Sequence, residues 1–190
     1  MGYYSEEYKN TYSTVLKELD TALGSVEPET VEALVDAILE ADQVFFVGVG
    51  RVLLSLQSIA KRLAHLGIRT HYVGEITEPA ITPSDLLIVG SGSGSTLFPL
   101  GIAKKAKAAG ARVVHIGSNP GSEMRDVAEF MVRIPVRTKN YLDDEIDSVQ
   151  PMTSLFEQSL LILGDTIAKM IIDKKEIDMK NLWKFHANLE

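Results

Sequence analysis

Apolar and polar positions alternate along this chain in two distinct rhythms. Over residues 4–23, Val15, Leu16 and Leu19 form one apolar side of a segment with helical spacing. Gly24 and Pro28 separate this amphipathic helix from a second one predicted over residues 29–41, with Pro28 near its start, where proline is tolerated. The rhythm then changes. Residues 44–47, 70–73, 86–89, 112–116 and 130–134 read as five short strands, the first and third being unbroken apolar runs. Such runs mark parallel strands buried on both faces. A helix after the first strand ends at Gly67, and one over residues 97–109 ends at Gly110. A polar loop, 135–150, leads to a long apolar helix predicted over residues 152–172. This alternation predicts an α/β fold, a three-layer, doubly wound, five-stranded parallel sheet of Rossmann-like type with extra N-terminal helices. At 190 residues the chain fits one domain, 1–190, in which residues 1–41 are a helical extension.

Charge narrows the class of partner. With 19 basic against 26 acidic residues and a net charge of −7, the chain does not read as a nucleic-acid binder. Cysteine is absent, which removes disulfides and thiolate chemistry and points to an intracellular, cytoplasmic protein. The longest apolar stretch, 160–172, is interrupted by Gly164, Asp165 and Lys169, so no membrane span is expected.

The most informative loop is Ser91-Gly92-Ser93-Gly94-Ser95-Thr96, between the third strand and its helix. Small residues there leave backbone N–H groups open at the positive end of a helix. Ser91, Ser93, Ser95 and Thr96 add hydroxyl donors, and that combination holds a phosphate. Pro99 fits within the first helical turn, where no intrahelical N–H bond is needed. Gly48-Val49-Gly50 after the first strand invites a dinucleotide reading, with Glu75 near the ribose-binding position. Leu53 stands where that fingerprint wants its third glycine, however, and a dinucleotide does not explain the richer loop after the third strand.

On the last long helix Glu157 shares a face with Thr153, Ser154, Leu161, Gly164 and Ala168. Mostly small neighbours are expected to leave room for a ligand, and an apolar surround suits the carboxylate to act as a general base. Asp165 reads as structural. On the helix after the first strand, His65 lies with Ser58 and Arg62 opposite the stripe of Leu56, Ile59 and Leu63. It is expected to face solvent or another subunit. His71 and His115 lie within strands and read as structural; no histidine pair has metal-ligand spacing, so no metal site is expected.

Together these elements resemble the sugar isomerase (SIS) domain family, and within it the 6-phospho-3-hexuloisomerase branch. The residues that carry the resemblance are Gly48-Val49-Gly50-Arg51, Arg62-Leu63-Ala64-His65-Leu66-Gly67, Val73-Gly74-Glu75 and Ser91-Gly92-Ser93-Gly94. Pro151-Met152, Leu155-Phe156-Glu157 and the tail His186-Ala187-Asn188-Leu189-Glu190 complete it. The resemblance implies a phosphosugar isomerase that moves a carbonyl between C3 and C2 of a hexulose 6-phosphate through an enediol, with no cofactor. It implies Glu157 as base, Arg51 as a substrate-contacting arginine, and His65 or His186 as acid. Phosphate would lie at Ser91, Gly92, Ser93, Gly94, Ser95 and Thr96, with Gly50 and Glu75 also near substrate. It further implies a homo-oligomer, a tetramer built from dimers, with His65 reaching a neighbour's site. Val52-Leu53 replace the family's usual Ser-Gly, Ser95 its usual acid and Thr153 its usual glycine, which leaves the exact sugar phosphate open. A non-catalytic phosphosugar sensor remains the alternative. The combination of Glu157, Arg51 and His65 argues against it, because a sensor needs no proton-transfer base.

Overall fold

The computed structural model describes residues 3–189; Glu190, the last residue of the tail motif, lies outside them. Five strands, β1 (Val44–Val47), β2 (Thr70–Tyr72), β3 (Leu86–Gly90), β4 (Arg112–Gly117) and β5 (Phe130–Arg133), form one sheet. Their order is β2-β1-β3-β4-β5 and every pairing is parallel. The helices are α1 (Tyr3–Gly24), α2 (Pro28–Glu40), α3 (Gly50–Ala64), α4 (Leu97–Ala108) and α5 (Ser154–Lys174). Short 3₁₀ segments occupy Glu123–Asp126 and Met179–Phe185.

Strand periodicity builds two cores. Val44, Phe46, Leu86, Ile88, Val114 and Ile116 face α2, α3 and α5. Phe45, Val47, Leu87, Val89 and Val113, one position out of phase, face α4. Three layers result, as the apolar runs predict. The N-terminal helices are not an appendage, because Leu19, Ala22, Leu34 and Ile38 lie in the same core cluster as α3 and α5. Glu18 on α1 also accepts hydrogen bonds from Ser148 Oγ (2.7 Å), Val149 N (2.8 Å) and Gln150 Nε2 (2.9 Å). That contact fastens the segment leading into α5.

Helices α3 and α5 pack closely at Gly164. A Cβ there would meet Ile59 Cγ1 at 2.2 Å. The small residue therefore serves helix packing and does not leave ligand space beside Glu157, as its position on that face suggests. No helix among the described residues is long and apolar enough to cross a membrane.

Candidate active site

The sheet reverses its winding between β1 and β3, so the loops after these two strands diverge and open a crevice at their carboxyl ends. A cleft of about 330 Å³ lies there, lined by Gly50 and Arg51 at the start of α3, Ser91, Ser93 and Thr96 before α4, and Glu157 on α5. Three helix N-termini converge on it. The N-cap residues Val49, Thr96 and Thr153 make no side-chain capping bond, so each helix turns uncapped N–H groups and a partial positive charge toward the cleft.

The serine-rich loop leaves several backbone N–H donors open. Its carbonyl oxygens are drawn inward: that of Ser91 accepts from Gly94 N and from His115 Nε2 (2.8 Å), and that of Gly92 accepts from Ser118 N and Asn119 N. The amides of Gly92, Ser93, Ser95 and Thr96 have no acceptor among the described residues. Ser93 Oγ and Thr96 Oγ1 lie 3.4 Å apart, both within the cleft lining. Two of the expected phosphate ligands are placed differently. Gly94 sits at φ +64°, its N–H is taken by Ser91, and Ser122 Oγ occupies the space where a Cβ would stand. Its role is to turn the loop. Ser95 is exposed and outside the cleft lining.

Glu157 is buried in the first turn of α5. Its surround is more polar than its helix face suggests: Oε2 accepts from Arg51 Nε, and Oε1 accepts from the Thr153 hydroxyl at 2.8 Å. Ser55 of α3 donates to the Glu157 carbonyl at 2.9 Å and fixes this turn against α3. Thr153 thus supplies a hydroxyl that orients the carboxylate. Val52 packs its Cγ1 against Gly48 and Gly90 at the cleft floor.

Glu75 is not brought to the cleft. It closes the turn after β2, where its Oε1 lies 2.6 Å from His71 Nδ1. His65 and His186 come together but elsewhere. They stack with ring centroids 5.1 Å apart in a separate pocket of about 210 Å³ that also includes Arg62 and Trp183. His65 is buried beneath this tail rather than solvent-facing. Arg62 Nη1 lies 3.4 Å from Nδ1, and Nε2 is buried with no partner among the described residues. From Arg51 to His65 is about 21 Å along α3, so this pair cannot serve its own chain's cleft.

Burial holds both His65 and His115 below the ordinary imidazole value; for His65 the charges of Lys61, Arg62 and His186 add to it. In the window between folded and unfolded values the unfolded chain binds more protons. Their contribution to stability is therefore complete above the ordinary value and lost as pH falls. The melting temperature is expected to drop from about pH 7 to about pH 5, and less steeply in a His115→Gln variant. An equal slope in the variant would assign the acid loss to other groups.

Sequence reading missed Thr138 and Lys139, which line the cleft from the loop after β5. Only a polar composition distinguishes that loop locally, and nothing in it signals where the loop folds.

Comparisons with known proteins identify the family and the fold. The chain is 38% identical over 176 residues to the 3-hexulose-6-phosphate isomerase of Bacillus subtilis, covering 93% of this chain and 95% of that one. It is 38% identical over 185 residues to the protein of the same name from Mycobacterium gastri, covering 97% and 92%. A solved structure from Methanococcus jannaschii, described as inferring that same function, superposes with a TM-score of 0.79 at 31% identity, covering 97% of this chain and 99% of that one. The SIS domain matches residues 37–162. That span runs from the end of α2 into α5 and takes in every residue of the cleft, and the chain belongs to the SIS domain family.

Proposed function

We propose that the cleft interconverts D-arabino-hex-3-ulose 6-phosphate and D-fructose 6-phosphate through an enediol. The observation that carries this reading is a buried carboxylate, Glu157, in the same cleft as an open phosphate cradle. The names of the relatives support a 3-hexulose 6-phosphate as the substrate. Phosphate binds the amides of Gly92, Ser93 and Thr96 and the hydroxyls of Ser93 and Thr96, which places the sugar chain toward α5. Glu157 removes the C2 proton of the 3-ulose and returns it at C3, while the hydroxyl proton moves from O2 to O3. Arg51, free on one edge of its guanidinium, stabilises the negative charge that develops on the enediolate oxygens.

The acid comes from a second copy of the chain. Along one face of α3 and its C-cap, Arg51, Ser58 and His65 stand seven residues apart, with Leu54 and Arg62 between them. Leu54 is 62% exposed, a large apolar side chain in an open groove. Two α3 helices packed antiparallel about a two-fold axis at Ser58 bring His65 of the partner subunit opposite Arg51 and Glu157. His186, stacked on His65, comes with it.

Purified protein supplied with the 3-ulose phosphate is expected to form fructose 6-phosphate without a nicotinamide cofactor, followed by carbon NMR. No conversion of this pair would refute the reading. Ser93→Ala and Thr96→Ala each remove one hydroxyl bond to a charged group, worth roughly 1.5–3 kcal/mol, so affinity should fall about ten- to a hundredfold. Unchanged affinity in both variants would remove the phosphate from this loop.

A further inference from the structure

The loop after β5 is held by an unusual device. Glu145, a buried carboxylate, lies at its centre. Its Oε1 accepts from the Thr138 hydroxyl at 2.9 Å and lies 2.9 Å from Ser118 Oγ. Its Oε2 accepts from the backbone N–H groups of Thr138 (3.1 Å) and Leu142 (3.0 Å). Burying a carboxylate is costly unless its oxygens are satisfied, and these are. A parallel bridge between Val136 and Ile146 closes the loop at its base. Arg137 pairs with Asp147 and stacks over the Tyr141 ring at 5.2 Å.

The loop so held brings two residues, Thr138 and Lys139, to the cleft. Thr138 packs its methyl against the phosphate cradle, where a Cβ on Gly92 would meet Thr138 Cγ2 at 3.0 Å. The next residue, Lys139, is exposed, lines the cleft and has no ion pair or hydrogen bond among the described residues. The cleft's other cation, Arg51, is already paired with the carboxylate of Glu157. The Ser91–Thr96 cradle itself contributes only neutral donors. A phosphate monoester dianion in a chain of net charge −7 is held more strongly where a full counter-charge adds to these neutral donors.

We infer that Lys139 is a substrate-binding residue, whose ammonium closes on the phosphate of the bound sugar from the side opposite the α4 N-terminus. The inference rests on the reading of the cleft as a sugar-phosphate site. Glu145 acts through it as a positioning residue, since it holds Thr138 and hence the base of Lys139 against Gly92.

The test compares the parent protein with Lys139→Gln and Lys139→Arg, titrated with inorganic phosphate and with fructose 6-phosphate, alongside steady-state kinetics. Lys139 is exposed, so both variants are expected to fold. Lys139→Gln should weaken binding of both ligands about tenfold or more and raise KM by a similar factor, with kcat within about twofold. Lys139→Arg should recover most of the affinity, since the charge is kept. If the parent turns over substrate and Lys139→Gln matches it in affinity and KM, the inference falls while the proposed function stands. A fall in kcat at unchanged KM would equally overturn it by placing Lys139 in the chemistry instead of on the phosphate. If the parent binds neither ligand, both readings fall together.

Discussion

Glu157→Gln is expected to lower kcat about a hundred- to ten-thousandfold while fructose 6-phosphate still binds within a few-fold of the parent. The amide has nearly the shape of the carboxylate. Its oxygen can accept from Arg51, and the Thr153 hydroxyl can turn to accept from its nitrogen, so the turn at the start of α5 is kept. It cannot take a proton from carbon. Solvent deuterium entering C3 of fructose 6-phosphate reports that step directly, because C3 is where the proton returns. Undiminished exchange in the variant would move the base elsewhere in the cleft. Loss of binding together with turnover would mean that the carboxylate holds Arg51 in place and does no more.

The second large effect crosses subunits. His65→Ala is expected to abolish most turnover, yet His65 lies about 21 Å along α3 from Arg51 of its own chain. Inactive Glu157→Gln and His65→Ala chains, unfolded together and reassembled, should therefore regain activity. In a mixed dimer one site has both native groups and the other has neither. Mixed dimers make up about half of a random assembly, so recovery should approach about a quarter of parental activity. Verified mixed dimers that stay inactive would refute the shared site. A fully active His65→Ala protein would leave the His65–His186 stack as a clasp that fastens the tail to α3, and no more.

The order of elements and the open serine-rich loop were legible in the chain because both are written in contiguous residues. The out-of-phase apolar positions of β1, Val44 and Phe46 against Phe45 and Val47, already specify two buried faces. Small residues between a strand and a helix specify an open loop at a helix N-terminus wherever the rest of the chain lies. Glu157 was legible as a rare charge on an apolar helix, though not its partners.

Those partners are a matter of tertiary structure. Arg51 and Glu157 are 106 positions apart, and only the packing of α3 on α5 makes them an ion pair. The same packing seats Ile59 in the space that Gly164 seemed to leave for a ligand. Periodicity places His65 away from its own core, but the tail that folds back over it carries no pattern of its own. His115 read as one more strand residue until β4 aligned beside β3 and set it beneath the Ser91 carbonyl. Lys139 is an unremarkable charge in a polar loop, and the buried Glu145 network brings it to the cleft. Helical and strand periods, caps and turns are set by neighbours within a few positions, so this chain's sequence alone determined its α/β layering, its open serine-rich loop and a carboxylate near the start of its last helix. Which groups meet that carboxylate, which cations line the cleft and where His65 and His186 come together were decided only by the tertiary structure, because ion pairs, close helix packing and buried networks depend on distances in space that sequence separation does not encode.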